Sequence, residues 1–207
     1  MRGRLIGATM AAAVCLLGGH PARAVDLSPA IAKMYDDLSI GYPTDAYMTV
    51  CYGFNCRRRM ELVFTEADRK RLTELLGAGK KSAEDERKAV QQAVLWFDRR
   101  VGPIIGTDKR VARADVRAFA DRHNFDCFDT TRNTTALLLV LQAWGLLKHH
   151  TVSDPRFRGY AIFFQLPHNT AVLTDRATKR DWAVDMWTRA YAELPDVMPV
   201  EQWLTED

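Results

Sequence analysis

Residues 126–147 read DCFDTTRNTTALLLVLQAWGLL, and this stretch decides how the chain folds. From Thr134 to Leu147 apolar side chains occupy nearly every position, without the polar face of a surface helix. A helix that is apolar on all sides is covered by other elements on several faces. The stretch therefore predicts a central buried helix that starts near Asp126-Cys127, with Gly145 weakening its last turn.

The chain before this helix predicts a mainly helical N-terminal part. Amphipathic spacing, an N-cap at Ser82 and a capping-box pattern at Thr65 with Asp68 indicate separate helices, and Gly102-Pro103 ends or bends the longest of them. The predicted elements are a short helix over Pro29–Leu38, a strand or extended segment over Met60–Phe64, helices from Thr65 to Leu76 and from Ser82, and a helix over Arg113–His123 that buries Val116, Phe119 and Ala120.

The chain after the buried helix predicts strands. β-Branched and aromatic runs separated by turn residues occupy Tyr160–Leu166, His168–Thr174 and Asp181–Trp187. Helices followed by strands are typical of an α+β domain, here with the Cys127 helix packed on a C-terminal antiparallel sheet.

The first 24 residues have the pattern of a bacterial Sec-type signal peptide. Arg2 and Arg4 precede an apolar stretch, and Ala22-Arg23-Ala24 supplies the small residues of a cleavage site. The apolar stretch is shorter than the roughly 20 residues that span a bilayer, so we expect no stable membrane anchor after cleavage. A periplasmic or secreted location follows as the expectation.

The charge of the chain gives no reason to expect a nucleic-acid partner. The sequence carries 29 Lys+Arg and 26 Asp+Glu, and three of those arginines lie in the predicted signal peptide. The remaining chain is formally neutral, which offers no case for an anionic partner. The run Arg57-Arg58-Arg59 is interpreted as a solvated face.

Three cysteines remain after the signal peptide. Cys51 and Cys56 lie in a tight loop where a disulfide is expected, since no second pair at zinc-site spacing exists. Cys127 is then a lone thiol, either buried and inert or reactive. At the first turn of a helix the positive end of the helix dipole favours the thiolate.

A base and an acid for this thiol are found on the last two predicted strands. If Asp175 pairs with Thr178 in the connecting turn, His168 lies opposite Asp185. An acid inside an apolar strand needs a partner, which supports the pairing. Cys127, His168 and Asp185 thus form a candidate nucleophile, base and orienting acid.

Further polar residues surround the start of the helix. An oxyanion donor is expected from the N–H of Cys127 with a polar side chain, for which Asn124 is a candidate. Asp129, Asn133 and Thr134 are interpreted either as helix-end hydrogen bonding or as substrate contacts. A metal site of His149, His150 and His168 is a weaker alternative, and we predict no metal and no cofactor.

These residues resemble the transglutaminase-like branch of the papain-like cysteine enzymes, and within it a group of exported bacterial proteins. The resemblance runs from about Glu86 to Trp203 and is carried by the motifs Asp126-Cys127-Phe128-Asp129 with Asn133-Thr134-Thr135, Pro167-His168-Asn169-Thr170-Ala171-Val172 and Ala183-Val184-Asp185-Met186-Trp187. It implies acyl transfer from an amide to a thiol, followed by hydrolysis or transfer, and it implies no particular substrate.

Two functions follow as hypotheses. The first is an exported cysteine peptidase or amidase that acts on an envelope protein or on cell-wall peptide. The second is a non-catalytic envelope protein that keeps the fold for binding or structure. The expected organisation is a signal peptide over 1–24, an N-terminal extension over 25–61 and a transglutaminase-like domain over 62–207.

Overall fold

The structure is a computed structural model that describes residues 25–115, 117, 119–159 and 167–206. The predicted signal peptide, the predicted strand over Tyr160–Leu166 and the predicted burial of Val116 lie outside these residues. The described elements are α1 Pro29–Asp36, β1 Tyr47–Tyr52, β2 Arg58–Val63, α2 Glu66–Gly77, a 3-10 turn over Ala78–Lys81, α3 Ala83–Ile105, α4 Cys127–Ala143, β3 His150–Arg158, β4 His168–Asp175, β5 Asp181–Asp185, β6 Asp196–Pro199 and α5 Val200–Trp203.

Helix α4 is the buried central helix that the sequence predicts. Its N-cap is Asp126, whose side chain accepts a hydrogen bond of 2.7 Å from the N–H of Asp129. This cap starts the helix at Cys127, ahead of the apolar run that begins at Thr134. The helix ends at Ala143 and not at Leu147, because Gly145 takes a left-handed φ of 68° and turns the chain away.

The N-terminal part contains a β-hairpin. Its strand β2 confirms the strand predicted near Met60–Phe64, whereas its strand β1 was not predicted. Strands β1 and β2 pair antiparallel with Cys51 opposite Arg59, and β1 packs against α4. Cys51 and Cys56 lie at disulfide distance across the turn, with Cα atoms 4.4 Å apart, as the sequence predicts. The hairpin shares one hydrophobic core with the helices and with the inner face of the C-terminal sheet.

Two of the predicted helices differ from the structure. Helix α3 continues past Pro103 to Ile105 and ends where Gly106 takes a left-handed φ of 76°. The predicted helix over Arg113–His123 is wrong, because none of its described residues is α-helical and its apolar Phe119 is 45% exposed.

The C-terminal sheet is antiparallel in the order β3-β4-β5-β6, which together with the helices confirms the α+β class. The predicted register between β4 and β5 is wrong by two residues, since Thr174 pairs with Asp181 and Ala171 with Val184. The turn is longer than expected, with the N–H of Asp175 bonded to the carbonyl of Arg180 at 2.9 Å. A shift of two residues keeps every side chain on its original face.

The two faces of this sheet cover different elements. Ala171 and Leu173 point into the main core with α4, whereas Val172 packs with Trp203 of α5 on the other face. Side chains alternate along a strand, so His168 shares the face of Val172. None of the helices in the described ranges combines the length and the apolar character that crossing a bilayer requires.

Candidate functional site

His168 and Asp185 form a buried hydrogen-bonded pair. The Nε2 atom of His168 lies 2.5 Å from Oδ2 of Asp185, and each residue is 2% exposed. The register places the two residues diagonally and not directly opposite, but on one face, where the long imidazole side chain spans the offset. The structure therefore brings together the predicted base and the predicted orienting acid.

The Asp185 carboxylate accepts two further hydrogen bonds. The indole Nε1–H of Trp203 donates to Oδ2 at 2.8 Å, and the backbone N–H of Trp187 donates to Oδ1 at 3.1 Å. Both indole rings also flank the imidazole, with centroids 4.4 Å (Trp187) and 5.2 Å (Trp203) from the His168 ring. The pair is thus held by hydrogen bonds at one edge and by aromatic rings on its faces.

This arrangement fixes the tautomer of the imidazole. A carboxylate oxygen only accepts, so the proton of a neutral His168 is on Nε2. The Nδ1 lone pair is then available, and Nδ1 is buried with no hydrogen-bond partner in the described part of the chain. A buried nitrogen without a partner is costly. Nδ1 is therefore the nitrogen of His168 that is available to accept a proton.

Cys127 lies against the backbone on both sides of His168. Its Sγ is 3.8 Å from the carbonyl oxygen of Pro167, and the N–H of Asn169 donates to the sulfur. The residue is 6% exposed and is the free cysteine of the described chain. The sulfur and the His168 side chain thus converge on the start of β4.

The surroundings of Cys127 favour the protonated thiol over the thiolate. Burial raises the pKa of the Cys127 thiol to about 11, the carboxylates of Asp126 and Asp185 add to the rise, and the Asn169 N–H opposes it. The expectation that the helix start favours the thiolate does not hold here, because desolvation outweighs the helix dipole. Formation of a thiolate therefore depends on a base that takes the proton.

The disulfide loop is bound to the first turns of α4. Asp129 accepts from the N–H groups of Phe54 at 2.9 Å and Cys56 at 2.6 Å, and burial and the nearby Asp126 carboxylate raise its pKa. The side chain of Asn133 accepts from the N–H of Cys51 and donates to its carbonyl, each at 2.8 Å. Asp129 and Asn133 therefore bind the disulfide loop to α4 and not the end of the helix itself, and a substrate contact for them stays a prediction.

The other two polar candidates are also buried. Asn124 accepts from the N–H of Val111 at 2.8 Å and donates to Asp121 at 2.7 Å, so both ends of its amide are occupied. Thr134 is buried in α4, and its hydroxyl has no partner among the described residues. Among the described residues no hydrogen bond orients either side chain toward the Cys127 sulfur. The predicted oxyanion or substrate roles of Asn124 and Thr134 remain predictions.

The three histidines of the alternative metal site do not meet. His150 and His168 lie at opposite ends of the β3–β4 pair, a separation of about 23 Å along the strand. His150 is buried, and its Nδ1 donates to Glu86 at 2.9 Å. The described residues contain no cluster of His, Cys, Asp and Glu suited to hold a metal ion.

Trp203 and the loop contacts of Asp129 are the site features that sequence reasoning missed. Trp203 is in a single-turn helix far along the chain from His168, and no local pattern links the two.

Comparison of the chain with protein-family models, with curated proteins and with solved structures finds no match.

Proposed function

We propose that this chain is an exported thiol-dependent acyl-transfer enzyme with a transglutaminase-like fold, acting as a cysteine peptidase or amidase on an envelope protein or cell-wall peptide. The observation that carries the proposal is the buried His168–Asp185 pair. The Nδ1 atom of His168 has no hydrogen-bond partner among the described residues, and the backbone next to His168 contacts the Cys127 sulfur. Cys127 is the nucleophile, His168 the base and Asp185 the residue that orients the base.

In the first step the Cys127 thiol transfers its proton to Nδ1 of His168. The Asp185 carboxylate, which accepts from Nε2–H, stabilises the imidazolium that forms. The Cys127 thiol, whose pKa burial raises to about 11, gains a neighbouring cation from this transfer, which favours its thiolate form. The low solvent exposure of both groups strengthens the attraction between them.

In the second step the thiolate attacks the amide carbonyl carbon and a carbon–sulfur bond forms. The carbon–nitrogen bond then breaks, and the leaving amine takes the proton from Nδ1. Water, or a second amine, attacks the thioester carbonyl carbon and gives a proton to Nδ1 of His168. The carbon–sulfur bond then breaks, the acyl group leaves as an acid or an amide, and His168 returns the proton to the Cys127 sulfur. The Cys127 N–H, at the first position of α4, has no intrahelical partner and is the proposed oxyanion donor.

Alkylation of Cys127 by iodoacetamide tests this proposal. In the folded chain at pH 7 we expect labelling of Cys127 to be roughly 100-fold slower in His168→Ala, because the thiol must then lose its proton to water. Peptide mass mapping distinguishes Cys127 from Cys15. The control is His123→Ala, which removes an exposed histidine outside the site.

The proposal is contradicted if iodoacetamide labels Cys127 equally slowly in wild type, His168→Ala and His123→Ala while circular dichroism shows that all three are folded. Asp185→Asn is the graded variant. It keeps an acceptor oxygen for Nε2–H but removes the charge, so its rate is expected between those of wild type and His168→Ala.

A non-catalytic envelope binding or structural protein is the second candidate. The observation that favours it is the burial of Cys127, whose surroundings favour the protonated thiol and whose sulfur makes no hydrogen bond to the imidazole. Equal, slow labelling in the experiment above supports this second function.

A further inference from the structure

A cleft of about 710 Å³ lies beside the disulfide loop. It is lined by Gly53, Arg57, Arg58, Phe119, Ala120 and Arg122. The loop residues that border it are also bonded to the start of the Cys127 helix. The N–H of Gly53 donates to the carbonyl of Asn124 at 3.1 Å, and the N–H of Asn55 donates to Asp126 at 2.7 Å. One wall of the cleft is therefore continuous with the segment that carries Cys127.

The three arginines of this cleft form no ion pair within the described ranges. The Arg57 guanidinium lies 3.5 Å from the centre of the Phe119 ring, which holds it in place without neutralising it. Arg59 of the same run differs, since its guanidinium donates to backbone carbonyls of Cys56 and Leu38. The cleft thus concentrates positive charge on a chain whose mature form is formally neutral.

The shape of the cleft depends on the disulfide loop. Gly53 takes a left-handed φ of 75°, and a Cβ at this position would lie 3.3 Å from Cδ of Arg58. The aliphatic part of Arg58 therefore packs on bare backbone. The ring of Phe54, buried under the loop, lies 6.0 Å from the ring of Phe119. The disulfide loop, the Phe119 ring and the cleft arginines therefore pack against one another.

We propose that this cleft binds an acidic segment of a polypeptide, and that in the proposed function this segment belongs to the substrate. Guanidinium groups bind carboxylates through paired N–H donors. The Phe119 and Ala120 wall adds an apolar contact for the neighbouring side chains of a peptide, which a bare anion does not need. Because the loop that borders the cleft is bonded to Asn124 and Asp126, next to Cys127, the cleft would select substrates that carry an acidic segment.

Fluorescence anisotropy with the Cys127→Ala chain tests the proposal independently of thiol chemistry. The probe is a fluorescein-labelled peptide that alternates glutamate with leucine, compared with the same peptide carrying glutamine. We expect the glutamate peptide to bind at low salt and the triple variant Arg57→Gln, Arg58→Gln, Arg122→Gln to weaken its binding about tenfold or more. The matched triple variant Lys70→Gln, Arg71→Gln, Arg99→Gln removes three exposed charges elsewhere and is expected to bind as wild type.

The proposal is overturned if the glutamate and glutamine peptides bind equally well, or if the two triple variants lose equal affinity for the glutamate peptide. It is also overturned if the cleft arginines bind phosphatidylglycerol vesicles but not the peptide. Because the peptide comparison uses the unaltered cleft, it does not depend on how well the variants fold. If the iodoacetamide experiment contradicts the thiol mechanism while the glutamate peptide still binds, the proposed enzyme function is refuted and the proposed peptide-binding cleft stands.

Discussion

Asn133→Ala removes the two hydrogen bonds that bind the disulfide loop to α4. The N–H and the carbonyl of Cys51 would both be left buried, since Cys51 is fully covered and a methyl group cannot replace either bond. Each buried backbone group that loses its partner costs about 1–3 kcal/mol, so the two together cost about 2–6 kcal/mol. A loss of about 4 kcal/mol lowers the Tm of a chain of this size by about 10 °C.

Urea denaturation followed by circular dichroism measures this effect. We expect the midpoint to fall and the slope m to stay constant, because the surface exposed on unfolding is unchanged. The control is Thr134→Val in the same helix, which replaces a buried hydroxyl without a partner by a methyl group and is expected to stabilise the chain by about 1 kcal/mol. If Asn133→Ala costs less than about 1 kcal/mol, the loop is not held by these bonds and the reasoning fails.

Three further predictions concern stability. Gly77 has a helical φ and nothing within 4 Å of an added Cβ, so Gly77→Ala is expected to raise the free energy of unfolding by about 0.5–1 kcal/mol in the same urea assay. In Gly79→Ala the new Cβ would lie 2.6 Å from Cα of Glu86, so this variant is expected to lower the free energy of unfolding by about 1–3 kcal/mol. Reduction of the disulfide, whose cysteines are 5 residues apart, is expected to cost about 2 kcal/mol, and a midpoint unaffected by reductant would contradict this. Burial alone would raise the pKa of Glu86, but hydrogen bonds from His150 and from backbone N–H groups lower it. The resulting stabilisation is complete above the unfolded value of about 4.3 and is lost as the pH falls through the lower folded value, a loss that should be absent in Glu86→Gln.

The central helix could be predicted because its signals are local. An apolar run without a polar face predicts burial, and the helix starts near Asp126-Cys127 as predicted, with Asp126 as its N-cap. The capping box of Thr65 with Asp68 forms as its sequence pattern indicates. Each of these depends on side chains within one or two turns of the backbone they stabilise.

The contact between His168 and Asp185 could be predicted even though the assumed turn was wrong. The turn is two residues longer than assumed, but strand side chains repeat with a period of two, so the error preserved the face. A shift of one residue would have separated the pair. The acid in an apolar strand was the more reliable signal, because it requires a partner whatever the register.

The remaining features depend on contacts between distant parts of the chain. The hairpin strand β1 is stabilised by α4, more than 70 residues away in sequence at the Cys51–Asn133 contact. The raised pKa of Cys127 arises from burial, which no helix-dipole argument on the sequence could evaluate. The arginine cleft forms only where the disulfide loop meets the Phe119 segment, so the net charge of the chain does not reveal it.

The tightly enclosed imidazole also determines which partner must move. His168 is fixed by Asp185 at Nε2 and by the indole rings of Trp187 and Trp203, so rotating its ring would break a hydrogen bond and two stacking contacts together. Cys127 has one short side-chain torsion, χ1, and its sulfur can swing between rotamers without disturbing the backbone. Proton transfer in the proposed reaction is therefore a rotamer change of the nucleophile toward a stationary base, and the χ1 population of Cys127 is the quantity that substrate would alter.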